Sequence, residues 1–265
     1  MNKKILASLL ALTMTVGLAA CGAKGKDTAS SSDIEYIKDK GTLVVGITDF
    51  EPMDFKDDSG KWVGFDADVA TKVAESLGVE VKFVEIDWDN KILELDNKSI
   101  DVVWNGMTLT PEVTKSMECT NAYCNNAQVV VVNSDVADKY QSADDCKDLT
   151  FAVESGSAGE AAANENGFNV VAVKSQADAV MEVSAGTSDA CIIDLLMAGA
   201  MIGEGTSYPE LAHTVELTTE EYGVGCRKGS DLAAYINDQF KAMYDDGSLK
   251  EIATEYGVQD SLVTQ

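Results

Sequence analysis

Two α/β lobes facing a shared cleft are the fold class this sequence predicts, on three observations. Short apolar runs alternate with amphipathic stretches from residue 43 to residue 132. The same rhythm starts again at residue 149 and continues toward the C-terminus. The chain of 265 residues is long enough for two such units. Alternation of strand-like and helix-like segments argues for sheets that are mostly parallel.

The elements follow in order. Residues 43–48 (LVVGIT) read as a buried strand. Asp66 is placed to cap a helix in which Val69, Ala70, Val73, Ala74 and Leu77 share one face, with Gly78 as its stop. Residues 79–86 alternate as a strand, 88–95 form a short helix, 100–104 the next strand and 128–132 a long apolar one. In the second unit, 149–153 is a strand and a helix runs through Ala163. Strands at 168–173 and 190–193 alternate with helices at 177–185 and 195–201. Residues 214–217 and 222–226 read as two further strands, and 231–244 and 249–256 as closing helices around an Asp246-Gly247-Ser248 turn.

The N-terminus bears on location. Lys3 and Lys4 precede an apolar run, and Leu18-Ala19-Ala20-Cys21 follows. This pattern predicts a secretory signal over residues 1–20. A cysteine directly after the small residues resembles a bacterial lipobox, so Cys21 is expected to carry a lipid. The apolar run is short for a membrane span, which needs about 20 apolar residues. Residues 21–35 are expected to form a flexible tether, because the small and charged side chains that dominate them offer little to bury. The expected location is extracytoplasmic, lipid-anchored to the bacterial cell membrane, with no other membrane contact.

Twenty basic and 45 acidic side chains leave a formal charge of −25. That balance argues against nucleic acid as a partner. Beyond Cys21, five cysteines remain, an odd number, with Cys191 and Cys226 in apolar runs that suit small core residues. One histidine and scattered cysteines give no metal motif, and no cofactor is expected. GxSxG, HExxH and GxxxxGK[ST] are all missing from the sequence, so catalysis finds little support.

Open α/β sheets place ligands outside the carboxyl ends of their strands. Four loops therefore carry the candidate contacts. Phe50, in the loop after the first strand, offers an aromatic face for a flat or cationic group. Trp104 stands where a cleft wall is expected, Gly106 lets a backbone amide approach a ligand, and Met107 and Thr108 follow. Thr110-Pro111-Glu112 reads as a helix start. Ser157 and Ala158 lie at another helix start, suited to an anionic or carbonyl oxygen. Asp194 follows the strand 190–193 and is placed to pair with an ammonium, a role compatible with capping the next helix.

Four blocks together carry a family likeness from about residue 42 to residue 257. They are Phe50-Glu51-Pro52-Met53-Asp54-Phe55 with Gly64-Phe65-Asp66; Trp88-Asp89-Asn90-Lys91 with Asp101-Val102-Val103-Trp104-Asn105-Gly106-Met107-Thr108; Gly156-Ser157-Ala158-Gly159-Glu160 with Asp189-Ala190 and Asp194; and Tyr222-Gly223-Val224-Gly225-Cys226-Arg227. In this order they resemble the polar amino-acid solute-binding proteins of ABC importers, extracellular solute-binding family 3. The resemblance implies a type II periplasmic-binding-protein-like fold, with residues 36–132 and 222–265 as lobe 1 and 133–221 as lobe 2. Hinge crossovers are expected near 132–134 and 218–222. It also implies a monomer that captures a small amino-acid-like or cationic amine solute by lobe closure, performs no chemistry on it, and delivers it to ABC permease subunits. By the same likeness Phe50, Trp104, Gly106, Thr108, Ser157 and Asp194 are expected to hold the solute, with Asp54, Met107, Tyr123, Glu154 and Ala158 as further contacts. A sensor module signalling to a receptor, or an enzyme of the related dehydratase type, are the alternatives the same scaffold allows.

One position departs from the family. Where a carboxylate-gripping arginine is usual after Thr-x-Glu, this chain has Val113, and its one arginine is Arg227, far along the sequence. Lys115 is the nearest substitute in sequence. With Asp54 and Glu154 adding acid to the cleft loops, this predicts either an amine or amidine-like solute or an amino acid held in an unusual pose.

Overall fold

The structure, a computed structural model, describes residues 32–265. The signal segment, Cys21 and most of the tether lie outside the described residues. Helix α1 (Asp33–Lys40) comes first, with the Ser32 hydroxyl accepting from the Glu35 amide and Gly41 closing it at φ 75°. The tether therefore ends before residue 35. Ile37 is fully buried and Asp33 accepts from Arg227, contacts that outweigh the polar composition of the segment.

Strand β1 (Thr42–Ile47) leads to a small hairpin, β2 (Phe55–Lys56) and β3 (Trp62–Val63), then to helix α2 (Phe65–Leu77) and β4 (Glu80–Glu85). Gly64, not Asp66, is the cap of α2; Asp66 lies in the first turn and is fully buried. A 3-10 turn at Trp88–Asn90 runs into α3 (Lys91–Asp96), followed by β5 (Val102–Val103), α4 (Pro111–Ser116) and β6 (Glu118–Cys119). The α4 start matches its sequence signature: the Thr110 hydroxyl accepts from the Val113 amide and Pro111 fills the first turn.

The second unit opens with β7 (Cys124–Asn133) and continues through β8 (Thr150–Glu154), α5 (Ala158–Asn166), β9 (Asn169–Val173), α6 (Gln176–Ser184), β10 (Ala190–Asp194) and α7 (Leu195–Met201). Strand β11 (Leu211–Tyr222) covers the expected 214–217 and runs on to residue 222, with register shifts between His213 and Thr218. Strand β12 (Gly225–Cys226) and helices α8 (Leu232–Asp246) and α9 (Ser248–Glu255) complete the chain.

Two five-stranded sheets result, in the orders β4-β1-β5-β12-β6 and β11-β7-β10-β8-β9. In the first, β1 is parallel to β4 from Thr42↔Glu80 to Ile47↔Glu85 and parallel to β5. In the second, β8, β9 and β10 are parallel, while β7 runs antiparallel to β10 from Gln128↔Asp194 to Val132↔Ala190. This pairing moves the expected 132–134 crossover. The apolar run 128–132 is a central strand of the second sheet, not the last strand of the first, so the chain passes between the lobes before residue 128. Tyr222, at the far end of β11, pairs with Cys124 at the start of β7.

The described cysteines Cys119, Cys124, Cys146, Cys191 and Cys226 are unpaired, and Cys191 and Cys226 are buried in the core. Among the described residues no helix is long and apolar enough to cross a membrane.

Candidate functional site

The carboxyl ends of β5, β8 and β10 meet at a cleft between the sheets, and two adjoining chambers occupy it. The inner one has a volume of about 480 Å³ and the outer one about 610 Å³. They share Thr108, Thr110, Ala158, Ala161 and Glu165 as common walls. The lobes touch beside the inner chamber. Lys91 Nζ donates to the Gly156 carbonyl at 2.9 Å, and Lys174 Nζ pairs with Glu85 at 3.2 Å across the seam.

Gly106, Met107, Thr108, Glu154, Ser157, Ala158 and Asp194 all line the inner chamber. Gly106 is required by its position. At φ 53° a Cβ there would lie 2.4 Å from Phe50 Cε1 and 3.1 Å from Tyr222 Cε2. We expect Gly106→Ala to destabilise the protein by about 2–3 kcal/mol, since backbone strain and overpacking both apply. Chemical denaturation against wild type measures it.

Five expected contacts stand off the chamber lining. Phe50 is buried edge-on against Tyr222, with ring centroids 6.4 Å apart. Trp104 turns into the lobe 1 core and packs edge-on against Phe240 at 5.6 Å. Tyr123 is fully buried and donates to Asp66 at 2.7 Å. Lys115 is exposed on α4. Asp54 is fully buried and accepts from Asn105 Nδ2 at 2.8 Å, so it braces the binding loop from behind. Asp66 does the same through the Gly106 amide at 2.7 Å. Asn105 Oδ1 in turn accepts from the Thr48 amide and hydroxyl at 2.7 and 2.8 Å. A buried hydrogen-bonded frame thus fixes residues 105 and 106 from below the chamber.

Asp194 is held by a ring of donors. Its Oδ1 accepts from Tyr222 Oη at 2.5 Å, from Gln128 Nε2 at 3.1 Å and from Asn126 Nδ2, and its Oδ2 accepts from Gln176 Nε2. Asn126 and Gln128 also donate to Glu220 Oε1, which brings a second acid beside the first. Burial, then the nearby Glu220, hold the Asp194 carboxyl well above the usual carboxylate range. Asp194 stands at the N-cap position of α7, but its side chain makes no cap bond to the helix.

Glu154, at the end of β8, is 2% exposed, and its Oε1 has no hydrogen-bond partner. Burial pushes its carboxyl up to about 8, against the opposing pulls of the Thr48 hydroxyl and Lys91. Burial likewise raises Asp66 to about 7. Carboxyls raised on folding bind protons that the unfolded chain releases near pH 4, so stability falls as pH rises from there through these values. We expect the unliganded protein to melt at a lower temperature at pH 8 than at pH 5, as a thermal scan across that range records.

Sequence reasoning did not single out Lys91, Gln176, Asn126, Gln128 or Tyr222. Gln176 starts α6, and Asn126 and Gln128 lie within β7, positions where a single polar residue reads as ordinary. Lys91 carried a signal: it lay in the matched Trp88-Asp89-Asn90-Lys91 block.

A profile of the family described as bacterial extracellular solute-binding proteins, family 3, matches residues 43–259. The chain belongs to that family. It is therefore the extracytoplasmic solute-binding component of an ABC-type importer, a binding protein that works with a permease and not an enzyme. Among curated relatives, the L-cystine-binding protein TcyA of Bacillus subtilis is 32% identical, covering 97% of this chain and 98% of its own. The arginine-binding extracellular protein ArtP of Bacillus subtilis is 30% identical, covering 96% and 98%. Among solved structures, an ABC uptake transporter substrate binding protein from Streptococcus pneumoniae with bound histidine superposes with a TM-score of 0.79. Identity is 28%, covering 89% of this chain and all of that one. The family member described here thus shares the two-lobed type II periplasmic-binding-protein-like architecture.

Proposed function

We propose that this family member captures a small zwitterionic, amino-acid-like solute in the inner chamber, with the solute's ammonium on Asp194. One observation carries the reading. Asp194 and the start of α5 stand on the same lobe 2 wall, so a place for positive charge faces the chamber beside a place for negative charge. At the α5 start, Ser157 caps the helix through the Glu160 amide and leaves the first-turn amide of Ala158 at the wall. Gly106, Met107 and Thr108 close the chamber from lobe 1. Relatives named for cystine, arginine and histidine support an amino-acid-sized guest.

Closure is proposed to turn on the two adjacent crossovers, the start of β7 near 124–127 and the end of β11 near 218–222. The closed form presents its surface to the permease as a monomer. The Leu18-Ala19-Ala20-Cys21 pattern supports a lipid anchor on Cys21.

The second reading, a cationic amine without a carboxylate, has its own support. Val113 lines the chamber where arginine is usual, and five acidic side chains line it against one lysine. Calorimetry with L-arginine, L-histidine and L-cystine beside agmatine, histamine and cystamine separates the two. We expect an amino acid to bind at micromolar or tighter affinity and its decarboxylated partner at least ~10-fold more weakly, a difference of about 1.4 kcal/mol. Equal or tighter binding of the amine favours the second reading. Because a bound ammonium replaces the proton held on Asp194, affinity should rise with pH on the acid side. An acid limb of opposite slope would contradict that placement.

A further inference from the structure

The missing arginine leaves a question that the chamber itself answers. A zwitterion buried with its ammonium on Asp194 and its carboxylate at the α5 start still needs a charged partner for that carboxylate, and Val113 offers none. Lys115, the nearest lysine in sequence, is exposed and off the chamber. Lys91 is not. It starts α3, is 8% exposed, and lines the same chamber wall as Val113. Among the described residues it is the one buried lysine.

Its surroundings set its reach. Nζ donates to the Trp88 carbonyl at 3.2 Å and to the Gly156 carbonyl at 2.9 Å, and lies 4.9 Å from the Trp88 ring centroid. Two carbonyls account for two of three ammonium protons, and neither neutralises the charge. The charged groups facing it are Glu154, Glu112, Asp89 and Glu160. Glu154 stands out among them, because it is buried from lobe 2 and its Oε1 is unpartnered. Besides Lys91, Asp178 and the Thr48 hydroxyl face Glu154. An unsatisfied buried oxygen on a chamber wall is costly unless a ligand or proton answers it.

We propose that Lys91 and Glu154 together grip the solute's carboxylate, in place of the arginine that Val113 displaces. Lys91 supplies the charge and Glu154 the second hydrogen bond, so the pair reproduces from two lobes the two-pronged contact that one guanidinium makes from one. Because Lys91 already bridges to Gly156, the carboxylate sits on the seam and its binding favours closure. At neutral pH the raised Glu154 carboxyl keeps the proton it needs to donate. The proposal rests on the zwitterion reading above and adds the residues that select for it.

The test is calorimetry on the purified protein, using L-arginine, L-histidine and L-cystine with their decarboxylated partners agmatine, histamine and cystamine. Lys91→Met should weaken the tightest-binding amino acid by about 100-fold and its amine partner by less than about 3-fold. Lys91→Arg should keep the preference for the carboxylate, which guards against a variant that merely folds poorly. In wild type, amino-acid affinity should fall as pH rises above about 8; Glu154→Gln, which always donates, should make that limb shallower, leaving the part set by Lys91, whose pKa burial lowers. An amino-acid-to-amine ratio unchanged in Lys91→Met would overturn the grip while leaving the ammonium site standing. An alkaline limb as steep in Glu154→Gln as in wild type would overturn Glu154 as the donor. Tight binding of an amine and no amino acid would overturn the zwitterion reading and the grip together.

Discussion

Asp194→Asn is expected to weaken solute binding by about 100-fold or more while leaving a folded protein. The side chain is 3% exposed and lines the inner chamber. An ammonium brought against it is desolvated, and truncating one partner of a buried charged pair costs about 2–5 kcal/mol. Asparagine keeps an oxygen for the Tyr222, Gln128 and Asn126 donors but loses the charge and turns its own N–H toward the Gln176 Nε2 donor. The empty protein already disfavours that charge, since burial and Glu220 hold the carboxyl well above its ordinary range. The substitution therefore costs less in the unliganded fold, where the Gln176 amide has to turn, than in the complex. Calorimetry for affinity and a thermal melt for stability separate the two, and equal affinity in the variant would remove Asp194 from the binding account.

The largest expected loss of stability lies elsewhere, at Arg227. This one arginine is 8% exposed and joins parts of lobe 1 far apart in sequence. Its Nε donates to both Asp33 oxygens at 3.1 Å, its Nη2 to Asp101 at 3.4 Å and its Nη1 to the Ile100 carbonyl at 2.9 Å. Asp101 is fully buried and also meets Lys40 Nζ at 2.5 Å. Arg227→Met leaves Asp33 without its guanidinium and Asp101 with one cation in place of two. Breaking a buried pair from one side costs about 3–5 kcal/mol. At this chain length that corresponds to a melting temperature lower by roughly 6–20 °C. By contrast, Lys228 and Glu118 lie 3.9 Å apart at the surface and are half-exposed. Glu118→Gln should change stability by about 0.5 kcal/mol or less. A melt of Arg227→Met indistinguishable from that of Glu118→Gln would contradict the argument.

Much of this fold was legible because local and global signals agree. Thr110-Pro111-Glu112 starts a helix on the rules of capping alone, and Gly78 ends one at φ 75°. Glu154, Ser157 and Asp194 were legible as residues of the chamber lining through topology: each stands at or just beyond the carboxyl end of a sheet strand, where a cleft must lie. The aromatics were not. Trp104 at the end of β5 reads alike whether it faces a cleft or a core, and the choice is made by Phe240, 136 positions later. Phe50 and Tyr123 are settled the same way, by Tyr222 and Asp66. Strand β7 was assigned to the wrong sheet because an apolar run carries no mark of its partners. Lys91, although it lay in a matched block, was not read as facing the chamber, for a geometric reason. It follows a 3-10 turn, and a shift from 3-10 to α winding resets which face a short helix presents.

A crystal structure of the protein with the tightest-binding of L-arginine, L-histidine and L-cystine tests the two-ended chamber most directly. The account predicts an α-ammonium within about 3 Å of an Asp194 oxygen, and an α-carboxylate within about 3.2 Å of Lys91 Nζ beside the start of α5. A guest bound with its ammonium turned from Asp194, that side chain still enclosed by its protein donors alone, would contradict it.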